Sequence, residues 1–338
     1  MSSEADFFRS LEHIFSAVKT DEPLAAHTTL GVGGGANFFA TAQTTEQIMR
    51  AANVCASHGM PMLVLGCGSN LIVSDHGFAG LVVKNRAAGW HVLEEMPEEK
   101  PGEKTPARFE TVGNAYYSTA GLRYSDLHAP AVRVRIESGA RFAPLLKALF
   151  RNGITGLQWF AGIPATVGGA TYMNMHGGEF FFGDFVENAL LFSDGIVKQV
   201  DHDYFQFDYD WSILHQSREI VLSVDLLLRR GDATRARKLA RDWARRKAIQ
   251  PQKSAGCIFQ NLTPADQARL GLPTPSIGYV IDKVLHLKGR QIGGAVISTR
   301  HAAFIENSGR ATAADVFRLT QLIRETAKKQ LEVDLKPE

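Results

Sequence analysis

Cysteine is scarce: Cys55, Cys67 and Cys257 are the only three in 338 residues. They are odd in number and widely spaced, so they make no disulfide framework. No Cys-x-x-Cys pair marks a metal site, and the pattern fits a reducing compartment. Net charge is also slight, +2 from 37 Lys+Arg against 35 Asp+Glu, so bulk charge points to no nucleic-acid partner. No run of about 18 apolar residues is present, so no membrane span is expected. The opening MSSEADFFRSLEHIF lacks the basic start and apolar core of a signal peptide. Internal repeats and low-complexity tracts are absent. So are the Lys-Ser/Thr of a triphosphatase loop and the Gly-x-Ser-x-Gly elbow of a hydrolase. His176, His215 and His301 stand without a His-x-x-x-His pair or carboxylate cluster, so no metal is expected. A cytoplasmic protein is the expectation, with no nucleic-acid or membrane partner and a monomer as the default state.

Composition is otherwise ordinary, 45% hydrophobic and 21% charged, and the length suits two or three domains at about 150 residues each. TTEQIMRAANVCASHG, residues 44–59, has helical spacing, with Thr44 or Thr45 as the cap. Met62–Leu65 and residues 71–73 read as strands joined by the loop Gly66-Cys67-Gly68-Ser69-Asn70, and GLVVKN as a further strand. Strand and helix alternate through residues 25–85, as in an α/β layer. Residues 94–106, EEMPEEKPGEKTP, read as an acidic solvated excursion within 86–130. Beyond it, VRVRIESG alternates like a strand, and RFAPLLKALFRNG is a helix stopped by Gly153. LLFSDGIVKQV reads as a strand bent at Asp194-Gly195, followed by the strand REIVLSVDLLL. Asp232 caps a basic helix whose arginines read as a solvated face, with Trp243 its only aromatic. The last segment mixes strands (YVIDKV, GGAVIS, AAFIEN) with a closing helix, AADVFRLTQLIRETAKKQL.

Two glycine-rich stretches stand out. In LGCGSN, glycine permits positive φ and lets backbone N–H groups approach a phosphate; a tight hairpin turn is the competing reading. AGIPATVGGA is the second, and two such loops suit a long ligand held at both ends, as a dinucleotide such as FAD would be. Cys257 sits in QPQKSAGCIFQN, after a glycine and before a strand-like pair. A buried spectator thiol is the plain reading. The alternative is a general acid, because a free thiol ionises near pH ~8.5 and is mostly protonated at neutral pH.

These residues carry a resemblance. HTTLGVGGGANFF, VLGCGSNLIVSDHGFAGLVVKN, AGIPATVGGATYMN, QPQKSAGCIFQN, IGYVIDKVLHLKGRQIGGAVIS with HAAFIEN, and LKPE follow one another as in the UDP-N-acetylenolpyruvoylglucosamine reductase family, over most of residues 25–338. The resemblance implies a mixed α+β or α/β fold. Two subdomains of the vanillyl-alcohol-oxidase type, 1–85 and 86–231, would bind FAD, and a third, 232–338, would bind the substrate. It implies an oxidoreductase of peptidoglycan synthesis. NADPH reduces FAD, hydride passes from flavin N5 to C3 of the enolpyruvyl ether, and C2 is then protonated. Cys257 stands where the family usually has a serine proton donor, and Glu338 matches its catalytic carboxylate.

The same carry-over gives cofactor contacts at Leu65, Gly66, Cys67, Gly68, Ser69, Asn70, Ile163, Pro164, Val167, Gly168 and Gly169. Substrate contacts fall at Asn174, Tyr209, Asn261, Lys288 and His301. Three positions depart from the family pattern. Asp210 replaces the arginine of Tyr-Arg-x-Ser, with Arg218 a few residues on; Glu338 is the last residue; and MNMHGGEFF replaces Asn-x-Gly-Ala-Tyr-Gly. Two other readings remain: a flavin oxidoreductase of the same fold with another substrate, and a non-catalytic flavin or sugar-nucleotide binding protein.

Overall fold

The structure is a computed structural model describing residues 4–96, 122, 126, 129–178 and 180–338. The chain divides into two compact units, Met1–Lys19 with Phe38–Cys67 and Gly80–Lys247, and Thr20–Asn37 with Gly68–Ala79 and Ala248–Glu338.

In the first unit, Thr45–His58 is helical because its ends are capped on both sides. Thr44 and Gln47 form a capping box, and Gly59 takes the left-handed conformation at φ 63°. Ile48, Ala51 and Cys55, spaced three and four apart, bury against Phe7, Leu11, Phe38 and Leu81. Burial pushes the Cys55 thiol up to about 12, so it is a packing group. A four-stranded sheet runs in the order Val18–Pro23, Gly35–Ala42, Phe78–Asn85, Met62–Leu65. The last two strands pair in parallel, Met62 opposite Leu81. Parallel neighbours need a crossover, so LGCGSN does not close a hairpin, and residues 71–73 form no strand.

The second sheet of this unit has five antiparallel strands, ordered Ile196–Asp201, Val186–Ser193, Ile220–Arg229, Ala131–Glu137, Trp90–Glu95. Asp194 and Gly195, at φ 51° and 78°, make the tight hairpin turn. Val132, Val134 and Ile136 alternate inward with Val224, Leu226 and Leu228 and pack under the helix Phe142–Arg151. Each such side chain contributes about 1.5–3 kcal/mol of burial. On the opposite face the register partners Arg135 and Asp225 form a forked pair at 2.6 and 2.8 Å. The expected acidic excursion begins later than read, because Trp90–Glu95 pairs with Ala131–Glu137; residues 97–106 lie outside the described residues. Asp232 Oδ1 accepts from the backbone of Thr234 and Arg235, capping the helix Ala233–Lys247. Trp243 is buried edge-on to Trp159 at 5.4 Å, so this aromatic belongs to the core.

The second unit holds a three-stranded sheet, Gln291–Ile292, Ala295–Ile297 and Ile305–Asn307, covered by the helix Ala313–Leu331. Val316, Leu319, Ile323 and Ala327 form that helix's buried stripe. Besides its own capping box of Thr312 and Asp315, the helix start donates to the Asp75 carboxylate from Ala313 at 2.7 Å and Ala314 at 2.9 Å. YVIDKV, read as a strand, is instead helical: Ile277–Tyr279 leads into a π turn, Val280–Val284. Ile277, Val280, Ile281 and Leu285 are all buried, which is helical spacing, and the Ser276 hydroxyl caps the first turn. Among the described residues no helix is long and apolar enough to cross a membrane.

Candidate functional site

In the first unit three backbone turns meet. The strand Met62–Leu65 delivers Gly66, where an added Cβ would lie only 2.5 Å from Thr166 Oγ1. The two glycine stretches are therefore in contact side by side at this point. Thr166 Oγ1 accepts from Gly169 N–H and caps the short helix Val167–Met173. A third turn, residues 138–141, follows the strand Ala131–Glu137. Ser138 accepts from Gly168 N–H at 2.7 Å, Ala140 accepts from Val167 N–H at 2.9 Å, and Phe142 N–H donates to Ala165. A Cβ on Gly168 would press on the Ser138 side chain, whose hydroxyl is held by Asn85 Nδ2 at 2.9 Å. Ile163 packs against the core, and Ala165 N–H donates back to its carbonyl across Pro164.

Cations surround these turns. Lys84, 6% exposed at the end of its strand, is pushed down to about 8 by burial first, then by the neighbouring charges of Arg86 and Arg141, with Cys67 acting the other way. Closely packed backbone turns with three cationic side chains beside them have the donor chemistry that a pyrophosphate requires, so the residues present fit a dinucleotide. Lys84, Arg86, Arg141, Ser138 and Thr166 went unnoticed in the sequence. The signal available was a polar or glycine turn directly after a strand, in VVKNR and RIESGAR.

Asn174 and Tyr209 also lie in this unit. The buried Asn174 amide is engaged at both ends: Oδ1 accepts from Gly183 N–H at 2.9 Å, and Nδ2 donates to the Asp208 carbonyl at 2.8 Å. Tyr209 and Asp210 form the tip of a turn closed between Asp208 and Trp211. The Asp210 carboxyl is buried; Oδ1 lies 3.2 Å from His176 Nδ1, and Oδ2 has no hydrogen-bond partner among the described residues. Arg218 lies beside Tyr172, opposing the rise that burial imposes on that hydroxyl.

The second unit assembles the remaining residues. Gly68, at φ 67°, passes so close to His27 that a Cβ would lie 2.3 Å from its carbonyl. Thr29 joins this turn to the thiol loop: its N–H donates to Gly68 O at 3.0 Å, and its hydroxyl donates to Ser254 O at 2.6 Å. Gly256, at φ 82°, would place a Cβ 3.5 Å from Asn70 Oδ1. Thr29, inside the motif HTTLGVGGG, thus ties the Gly68 turn to Ser254, three residues before Cys257. Cys257 itself is half-buried.

Glu338 is anchored beside this loop. Its N–H donates to Ile258 O at 3.0 Å, Gln260 N–H donates to Lys336 O at 3.0 Å, and Phe259 bridges Pro337. His301 is buried and pushed down to about 4, first by desolvation, with the Lys288 charge adding in the same direction. Its Nδ1 accepts from Ala303 N–H at 3.3 Å, as a neutral imidazole can. Lys288 pairs with Asp282 at 3.1 Å, and Asn261 Oδ1 accepts from Ile277 N–H at 3.0 Å.

Comparison with known proteins decides what this arrangement belongs to. A family model described as UDP-N-acetylenolpyruvoylglucosamine reductase, C-terminal domain, matches residues 250–338, and one described as FAD binding domain matches residues 122–193. The UDP-N-acetylenolpyruvoylglucosamine reductase of Bacillus velezensis is 33% identical over 330 residues, 95% of this chain and 92% of that one. The chain belongs to the UDP-N-acetylenolpyruvoylglucosamine reductase family. The reductase of Bacillus subtilis is 32% identical, again over 95% of this chain and 92% of its own. The solved reductase of Thermus caldophilus superposes with a TM-score of 0.67 at 30% identity, covering 95% of this chain and 96% of that one. The family resemblance, the flavin-binding fold class and FAD as cofactor are borne out by these matches. The metal question has a narrower answer: no group of three or more His, Cys, Asp or Glu that could hold a metal occurs among the described residues.

Proposed function

We propose that the protein reduces UDP-N-acetylglucosamine enolpyruvate to UDP-N-acetylmuramate for peptidoglycan synthesis, with NADPH as electron source. The reading is supported above all by the pairing that holds the end of the chain, Glu338, against the strand-like segment carrying Cys257. Bound FAD, once reduced, supplies the hydride for C3 of the enolpyruvyl group. This chain's residues do the rest. Gly66, Cys67, Ile163, Pro164, Val167, Gly168 and Gly169 shape the cofactor cradle with Leu65 behind them, and Lys84, Arg86 and Arg141 supply cations for its pyrophosphate. Gly68, Ser69 and Asn70 continue the same loop.

Cys257 donates the proton to C2. A thiol suits that task because it is protonated at neutral pH yet more acidic than a hydroxyl. Glu338 stands beside it as the partner carboxylate. His301, kept neutral by burial, serves as a hydrogen-bonding group, with Lys288 and Asn261 as further substrate contacts. Asn174 and Tyr209 belong to the substrate set in the first unit. In this scheme residues 1–85 and 86–231 serve the flavin and 232–338 the substrate. We place the protein in the cytoplasm as a monomer, acting on a sugar nucleotide without nucleic acid or membrane.

The test is Cys257→Ala under anaerobic stopped flow. NADPH should still bleach the flavin, while reoxidation by the enolpyruvyl sugar nucleotide should fall by about 100-fold or more. Normal turnover of that variant would remove Cys257 from the reaction. One observation favours a second reading: Asp210 puts a carboxylate where the resembling family has an arginine. A flavin oxidoreductase with another substrate would bleach with NADPH and not recover even in the wild type.

A further inference from the structure

Beside Asn174 and Tyr209 the first unit opens a cavity of about 430 Å³. Phe181, Phe207, Tyr209 and His202 line its sides, and its polar groups include the Asp184 and Asp208 carboxyls. These walls are braced from behind. Phe207 stacks on the buried Phe205 at 4.9 Å and 12°, and Phe181 meets Tyr209 edge-on at 6.0 Å. Tyr209 also stacks on His176 at 5.9 Å and 21°, and His176 is held by the buried Asp210. Asp210 is therefore a positioning residue for an aromatic wall. The site is pre-formed, as small-molecule pockets usually are.

The polar groups narrow the occupant. Asp184 Oδ2 accepts from Phe181 N–H at 2.8 Å, and Asp208 Oδ1 accepts from Tyr209 N–H at 2.7 Å, which leaves each carboxylate a second oxygen for a donor. Burial pushes the Asp184 carboxyl up to about 6, opposed by the Phe181 hydrogen bond and the His202 charge, as in sites where a ligand completes the solvation. No Lys or Arg appears among the described lining residues. A phosphate would face two carboxylates with only His202 to offset them. A flat ring would instead meet aromatic faces and present N–H groups to acceptors.

We propose that this cavity is a subsite for a planar heteroaromatic ring bearing amide or amino N–H donors, with Asp184 as acceptor. The assignment rests on the proposed reaction, whose co-substrates offer three such rings: the nicotinamide, the uracil and the adenine. Calorimetry on the flavin-loaded protein separates them, using nicotinamide mononucleotide, UDP and AMP as probes. One of the three should bind the wild type, and Asp184→Asn, which turns the free acceptor into a donor, should weaken that probe alone by about tenfold or more. Phe207→Leu should weaken the same probe by removing the stacking face, and it carries the test if Asp184→Asn fails to keep its flavin. Binding of no probe to the wild type, or affinities unchanged within twofold in the folded variants, overturns the assignment. Failure of the reaction itself reads differently: wild-type flavin would not recover with the enolpyruvyl substrate, whatever Asp184 does to mononucleotide binding.

Discussion

The proposed cofactor cradle of the first unit and the thiol loop of the second are held by different means. In the proposed cofactor cradle of the first unit, turns 138–141 and 163–169 are hydrogen-bonded backbone to backbone, Gly66 lies against the Thr166 side chain, and a Cβ added at Gly66 or Gly168 would crowd its neighbour. In the second unit, the thiol loop is placed by distant anchors, Thr29 on one side and residues 336–338 on the other. A cradle built on close approach fails when volume is added. A loop built on anchors fails when an anchor is removed, even if every atom of the loop remains. In the proposed scheme that contrast separates holding a cofactor from aiming a proton donor.

The sharpest way to break it is to delete residues 336–338. The thiol stays, but the rungs from Gln260 and Ile258 are lost together with the Glu338 carboxylate. Substrate-driven flavin reoxidation should fall by about 100-fold or more, with NADPH bleaching preserved. Equal loss of both half-reactions would show that the chain end supports the whole molecule instead of the thiol loop.

Next in size is Gly66→Ala. The new Cβ meets Thr166 Oγ1 at 2.5 Å, and that short branched side chain is committed to capping Gly169. Overpacking of this kind costs about 1–3 kcal/mol, so retained FAD should drop about tenfold or more on dialysis. Adding Thr166→Ala should recover part of that loss. If Gly66→Ala holds flavin like the wild type, the close approach is not what shapes the cradle.

The smallest effect belongs to His301. Its folded-state pKa, about 4, lies below the ordinary histidine value, so the folded protein favours the neutral ring. The associated stability is present above about pH 6.5 and is lost as pH falls toward 4, because only the unfolded chain takes up the proton. Urea midpoints should show the wild type losing on the order of 2 kcal/mol more than His301→Gln between pH 7 and pH 4.5. Parallel pH curves would mean that the ring protonates in place.

The cradle was the more legible half. Glycines at 66, 68, 168 and 169 advertise close backbone approach, and the family order of the motifs carried the rest. Even so, the cations Lys84, Arg86 and Arg141 were missed, since a charged residue after a strand usually faces water. The thiol loop was readable as a motif, whereas its anchoring was not: the Phe259–Pro337 bridge and the bond from Glu338 N–H to Ile258 O join segments about 80 residues apart. The errors were local. YVIDKV holds three β-branched residues in six, Val280, Ile281 and Val284, yet burial at Ile277, Val280, Ile281 and Leu285 made it helical. Residues 71–73 look like a strand, but their sheet is completed by Phe78–Asn85 pairing in parallel with Met62–Leu65.

By itself the sequence determined the helices with caps, the hairpin at Asp194-Gly195, the flavin-binding character and the family, because these depend on neighbours within a few residues or on motifs read in order. Only the tertiary structure decided which glycine turns touch, that Thr29 ties Gly68 to Ser254, that the last residues pin the thiol loop, and that Asp210 turns toward His176. Those contacts join positions tens to hundreds of residues apart, and their energies come from burial and from hydrogen bonds between segments that no local pattern pairs in advance.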